Sequence, residues 1–182
     1  MTAQGFALFD TAIGRCGIAW GERGVVAVQL PETSEATTRA RMQRRCAGAG
    51  EASPPAAVAH AIAGIVALLD GEATDLTGVA LDMALVPPFN RRVYEIARAI
   101  PPGSTLSYGE VAARLGDPTA ARAVGQALGD NPFPIVVPCH RVLAAQGKMG
   151  GFSAPGGTAT KRRMLTIEGA FADVELPFFG GV

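Results

Sequence analysis

A proline-framed run, Asn131-Pro132-Phe133-Pro134-Ile135-Val136-Val137-Pro138, leads straight into Cys139-His140-Arg141. Prolines fix the backbone on both sides of the apolar stretch, so they can hold the cysteine in a defined and partly buried place. A buried cysteine is by default an inert small hydrophobe. A base or cation beside it lowers the thiol pKa and makes the sulfur a nucleophile. Adjacent side chains in an extended segment diverge, so Cys139 and His140 meet either directly or through a bridging water. Further along, Glu168 sits four residues after Met164 and three after Leu165, where a carboxylate borders the apolar face of a short helix, Thr160 to Glu168, closed by Gly169. A carboxylate turned inward needs a partner, and a histidine supplies one; the plain alternative is exposure at a frayed last turn. Cys16, Cys46 and His60 lack paired metal-ligand spacing, so no metal site is expected. No phosphate-binding Gly-rich loop and no serine nucleophile elbow occurs.

The elements that must hold these residues fall into two halves. Phe6–Phe9, Ile18–Trp20 and Val25–Leu30 read as strands separated by glycine turns. A solvated, Arg-rich helix is expected after Ser34. Val58, Ile62, Ile65, Val66 and Leu69 mark one face of an amphipathic helix that also carries His60. Val79, Leu81, Met83 and Leu85 alternate with small or polar residues and predict a strand. Pro87-Pro88 is the linker candidate. In the second half, Phe89, Val93, Ala97 and Ile100 mark a helix stopped by Pro101-Pro102-Gly103. Ser107 and Glu110 form a capping box for a helix running to Leu115. Asp117 is an N-cap and Pro118 fits the first position of a helix to Leu128. Two short helices joined through Gly116-Asp117 read as a helix-turn-helix, or as a plain helical pair with no binding role. On the second of them Arg122 points outward among Thr119, Gly125 and Gln126. That low surface with one long side chain suits close approach of the helix to a narrow groove.

The chain has 182 residues, enough for one large domain or two small ones. With 48% hydrophobic residues it can bury a core, which excludes disorder as an overall reading. Lysines and arginines balance aspartates and glutamates at 16 each, which excludes a partner drawn by overall charge. Locally the balance breaks: between Pro87 and Ala170 ten basic residues face five acidic ones, the signature of a polyanion-binding half beside an acidic one. Three cysteines cannot all pair, which favours a reducing compartment. No apolar stretch reaches the ~20 residues of a membrane span, and Met1 to Asp10 has no secretory signal pattern. The expectation is a soluble, cytoplasmic protein with no membrane partner.

Ser107-Tyr108-Gly109-Glu110-Val111-Ala112, Ala120-Ala121-Arg122-Ala123-Val124-Gly125, Asn131-Pro132 and Pro138-Cys139-His140-Arg141-Val142 together resemble the O6-alkylguanine-DNA alkyltransferases, the methylated-DNA–protein-cysteine methyltransferases. The resemblance runs from about Phe89 to Gly169. It implies an α+β chain: a small N-terminal α/β domain, ribonuclease H-like, over 1–86; a mainly helical domain with a helix-turn-helix over 87–170; and a tail over 171–182. It implies binding of double-stranded DNA containing O6-alkylguanine in the minor groove, as a monomer and without cofactor, through Thr119, Arg122, Ala123, Gly125 and Gln126. Arg122 would fill the place of a flipped guanine. Tyr108 would donate toward that base, and Cys139 would take its alkyl group after losing a proton through water to His140, oriented by Glu168. Asn131 would brace the turn before the cysteine, and Val142, Phe152 and Ser153 would line the substrate. Each molecule would act once, on O6-alkylguanine and on O4-alkylthymine.

Two departures from the family pattern bear on substrate range. Phe152 stands where tyrosine is common, and the loop from Gly150 to Gly157 is about two residues longer. Two other functions compete: a damage sensor that binds without chemistry, and a Cys–His hydrolase, against which no oxyanion-binding motif is recognisable.

Overall fold

The computed structural model describes residues 3–46 and 48–171. It opens with an antiparallel sheet of β1 (Gly5–Thr11), β2 (Gly14–Gly21) and β3 (Gly24–Gln29), in that spatial order. Helix α1 (Glu35–Arg45) starts at a capping box in which Ser34 and Thr37 satisfy each other's backbone amides. It lies on one sheet face, where Phe6, Ala19, Val26 and Ala27 enclose Met42 and Cys46. The approach is close: a Cβ on Gly17 would stand 2.7 Å from the Met42 side chain, so only glycine fits there. The opposite sheet face, with Ala7, Phe9, Ile18 and Val28, joins the main core. Because both faces are covered, β2 and β3 are buried almost throughout instead of alternating.

Helix α2 (Ala56–Leu69) buries Val58, Ala61, Ile65, Leu68 and Leu69 in that core and leaves His60 exposed. Residues 79–85, expected as a strand, are not one. Val25 exchanges backbone bonds with Ala80 and Asp82, but a single bridge, Val25 to Leu81, is all that forms. The Asp82 carboxylate accepts the Ala84 amide and pairs with Arg23, which turns the chain away from the ladder. The alternation was therefore real in sequence and overridden by one side-chain turn.

The second half is built from α3 (Pro88–Arg98), α4 (Tyr108–Arg114), α5 (Ala121–Gly129) and α6 (Gly157–Ile167). A parallel pair of two-residue strands, β4 (Leu106–Ser107) and β5 (Val142–Leu143), ties the start of α4 to the segment after Cys139. Both halves of the Ser107–Glu110 capping box form. The helix expected from Pro118 is split: Pro118–Ala120 is a 3-10 turn capped by Asp117, and the α-helix begins at Ala121. Asp117 accepts the Thr119 amide, so the first turn winds tightly. The core is continuous through both halves, from Ala7 to Met164. Arg45 and the Val28 amide both reach the Pro132 carbonyl, fastening the sheet and α1 to the turn that precedes Cys139. Of the tail over 171–182, all but Phe171 lies outside the described residues.

Helix α3 is locked to α5 by Tyr94, almost fully buried, whose hydroxyl donates to the Ala127 carbonyl at 2.9 Å. Tyr94→Phe removes this bond and leaves the ring packing intact. Urea denaturation should then give a loss of about 1 kcal/mol with an unchanged slope.

Candidate active site

Cys139 does not sit in the extended segment expected. Cys139–Arg141 is a single 3-10 turn, entered through Ile135, whose φ of 75° lies in the left-handed region. A β-branched residue there is strained by roughly 1–2 kcal/mol. Asn131 holds the chain against that strain from both ends: its amide group donates to the Val137 carbonyl at 2.9 Å, and its side-chain oxygen accepts the Phe133 amide at 2.9 Å. The same side chain works to lower the Cys139 thiol pKa. His140 goes fully inward, while Cys139 stays half-buried at a cavity wall.

Inward, His140 meets the carboxylate that the spacing at Glu168 suggested. Its Nε2 lies 2.8 Å from Glu168 Oε1, and both side chains are sealed from solvent. Arg141 grips the same carboxylate with two bonds, Nε to Oε2 at 2.9 Å and a terminal nitrogen to Oε1 at 2.8 Å. Its other terminal nitrogen donates to the Ile100 carbonyl at 2.6 Å. Burial alone would raise the Glu168 pKa, but the bonds from His140 and Arg141 outweigh it and hold the carboxyl at about 2. An ionised carboxylate only accepts, so the proton of a neutral imidazole is assigned to Nε2. Burial also lowers the His140 pKa, more than Glu168 restores it, so the ring is neutral at pH 7. Its second nitrogen, Nδ1, is buried and meets no partner among the described residues. The pair thus presents a basic lone pair inside the protein.

Burial raises the thiol pKa of Cys139; Asn131, the Lys161 charge and two backbone amides work against that rise. Lys161 was not anticipated as a site residue. In sequence it is one of three consecutive basic residues, yet it is fully buried while Arg162 and Arg163 are exposed. Its Nζ donates to the Val142 carbonyl at 2.6 Å and lies 5.8 and 6.0 Å from the ring centroids of Tyr108 and Phe152. Burial brings its pKa down to about 8, with Cys139 acting in the other direction. Val142, expected to face substrate through its backbone, has its amide on the Cys139 carbonyl and its carbonyl on Lys161. One carbonyl lone pair remains for a ligand.

Outward, Cys139 shares a cavity of about 590 Å³ with Tyr108, Arg122, Gly125, Gln126, Phe152 and Ser153. Tyr108 is half-buried in the first turn of α4, its hydroxyl pKa raised by burial and by Cys139. The backbone at Gly150, in left-handed geometry, passes so near that a Cβ would stand 3.1 Å from the Tyr108 ring. Arg122 and Gln126 are exposed on α5 at the mouth, and Ala123 is half-buried. Thr119 is exposed but donates its hydroxyl to Asp117 at 2.6 Å, so it serves the helix start. Ser153 Oγ donates to the Gly129 carbonyl at 3.1 Å, tying the loop to α5. Among the described residues there is no metal-ligating cluster, and Cys16 and Cys46 are buried and unpaired.

The Glu168 pKa is lower folded than its ordinary 4.5, so its stabilising effect is full above that value and fades as pH falls toward about 2. Glu168→Gln should cost about 3–5 kcal/mol at pH 7, because it leaves the Arg141 charge buried and unpaired. It should also flatten the acid limb of a melting-temperature profile between those two pH values.

Residues 88–170 match the family described as the DNA-binding domain of 6-O-methylguanine DNA methyltransferase. The methylated-DNA–protein-cysteine methyltransferase of Methanothermobacter thermautotrophicus is 38% identical over 153 residues, covering 84% of this chain and 78% of that protein. Among solved structures, Mycobacterium tuberculosis OGT in complex with DNA superposes with a TM-score of 0.70 at 33% identity, covering 91% of this chain and 92% of that one. The O6-methylguanine-DNA methyltransferase of Pyrococcus kodakaraensis gives 0.71 at 28% identity over 90% and 99%. With similarity that spans both halves and a cysteine presented as described, the chain belongs to the methylated-DNA–protein-cysteine methyltransferase family.

Proposed function

We propose that this protein repairs duplex DNA by moving an alkyl group from O6 of guanine, and from O4 of thymine, onto Cys139, once per molecule. The observation that carries this reading is the pairing of a half-buried thiol with a buried, unpartnered basic nitrogen, His140 Nδ1, on the residue next to it. A nucleophile of this kind needs a base and an electrophile brought to it, and the cavity shared with Tyr108 and Arg122 offers room for a flipped base.

The chemistry runs in one direction. His140 Nδ1 takes the thiol proton through a bridging water, and Glu168 and Arg141 keep the ring oriented while it carries that charge. The Lys161 ammonium, beside Cys139, stabilises the thiolate as it forms. Sulfur attacks the alkyl carbon in line with its bond to O6. The new S–C bond forms as the C–O6 bond breaks, and that electron pair moves into the purine, which takes up a proton. Tyr108, donating from its phenolic hydroxyl, favours departure of the guanine. A thioether has no leaving route, so the protein is spent.

DNA contact falls to α4, the turn from Pro118 to Ala120 and α5, working as a helix-turn-helix in the minor groove. Arg122 occupies the gap left by the lesion base, and Thr119, Ala123, Gly125 and Gln126 flank it. The solved relative in complex with DNA supports DNA as partner. In this reading residues 1–86 are a ribonuclease H-like α/β scaffold, 87–170 the working domain and 171–182 an appended tail. The protein acts as a cytoplasmic monomer without cofactor; no helix of the described residues is long and apolar enough to cross a membrane.

Incubation with a duplex carrying O6-methylguanine should add one methyl mass to the Cys139 peptide, and Cys139→Ala should remove that product. A second turnover, or selective binding that leaves the DNA unchanged, would overturn the proposal. Arg122→Ala should slow transfer from duplex by more than tenfold, since a few kcal/mol of unstacking goes uncompensated, yet barely alter reaction with free O6-methylguanine.

A further inference from the structure

Cys139 lines two cavities, and the proposed function uses only one. The second, of about 420 Å³, lies between the sheet, α1 and the Asn131–Pro134 turn, and Cys139 lines it as well. Leu128, Gly129, Phe152 and Ser153 also border both, so the two cavities are neighbours. This matters for in-line displacement. Sulfur, carbon and O6 lie along one axis during transfer, so whatever else the carbon carries projects sideways from that axis. With the base held on the Tyr108 side, the second cavity is the space open to a substituent larger than hydrogen.

Helix α1 lines it with two arginines, Arg41 and Arg45. Arg41 is matched there by Glu32 at 3.1 Å. Arg45 is not matched. It donates to the Val28 carbonyl and the Gln29 side-chain oxygen at 3.0 Å each, and to the Pro132 carbonyl at 3.4 Å, all neutral acceptors. Among the described residues no carboxylate pairs with it. Asp130 lines the same cavity but bridges to neither arginine. A guanidinium held by carbonyls keeps its full charge and its preference for a planar carboxylate.

Resting on the alkyl transfer proposed above, we propose that Arg45 makes this cavity a receptor for anionic alkyl groups. Lesions bearing a short carboxylate chain, of which O6-carboxymethylguanine is the simplest, are then favoured over neutral ones of equal size. The step is the same displacement: the S–CH2 bond forms, the CH2–O6 bond breaks, and the carboxylate stays attached to the new thioether. Arg45 acts on substrate choice and takes no part in the displacement itself.

The test compares three duplexes of one sequence carrying O6-methylguanine, O6-carboxymethylguanine or the near-isosteric neutral O6-(carbamoylmethyl)guanine. Intrinsic reactivity differs among them, so the reading is the change in the carboxymethyl to carbamoylmethyl rate ratio between proteins. Arg45→Gln should lower that ratio about tenfold, the size of one charge-assisted hydrogen bond, with methyl transfer as internal reference. An unchanged ratio overturns the inference while leaving the proposed function standing. Should Arg45→Gln fold poorly through loss of its carbonyl contacts, the wild type decides: its ratio should fall severalfold as salt rises, whereas a flat ratio overturns the inference. A wild type that moves no methyl group overturns the proposed function itself, a separate result.

Discussion

One buried carboxylate organises the working half of this protein. Glu168 takes three bonds from two cations or potential cations, all within the protein interior. Burying a charge in this way is costly unless it is paired and hydrogen-bonded, and here the guanidinium and imidazole together supply three bonds. The arrangement joins three distant pieces of chain. Glu168 caps α6, Arg141 reaches the carbonyl of Ile100 just beyond α3, and both converge on the turn that carries Cys139. The position of the sulfur is thus set by ionic contacts made from its own turn, where solvent cannot compete.

The same contacts set the protonation states. A carboxylate held near 2 forces the imidazole proton to Nε2, and burial keeps the ring neutral, so the basic position is Nδ1. The thiol beside it is pushed toward its neutral form by burial, which protects it from adventitious oxidation and alkylation between encounters. Lys161 works in the opposite sense. It is a desolvated cation whose positive charge favours the thiolate, and whose own pKa of about 8 leaves it mostly protonated at pH 7. The sulfur is therefore quiet by environment and activated by its neighbours, a balance suited to a protein that can react only once.

How much of this was legible in the sequence follows from how local each interaction is. The Ser107–Glu110 capping box and the Asp117 cap are decided within three residues, and both form as read. The apolar i−3 and i−4 neighbours of Glu168 allowed an inward carboxylate beside the alternative of exposure at a last turn, and the structure selects the first. The same spacing puts Lys161, three residues before Met164 and four before Leu165, on the same apolar face, but a lysine in a basic run is ordinarily solvated, and residue type hid the signal that position carried. The left-handed geometry at Ile135 was hidden for a similar reason: residue type argues against it, and Asn131 imposes it from outside. Residues 79–85 carried a strand's alternation, but the Asp82 side chain diverts the backbone bonds that a strand would use. The match to the family was concentrated in the second half. That the first half shapes a cavity reaching the thiol, through Arg45 on α1, needed the tertiary structure.

Nitrogen-15 NMR of the His140 ring addresses the central claim without any substrate. The account predicts a neutral imidazole at pH 7 with its proton on Nε2, and a pyridine-type Nδ1 whose signal moves when Cys139 is alkylated. A doubly protonated ring, or a proton on Nδ1 with Nε2 bare toward Glu168, would contradict it.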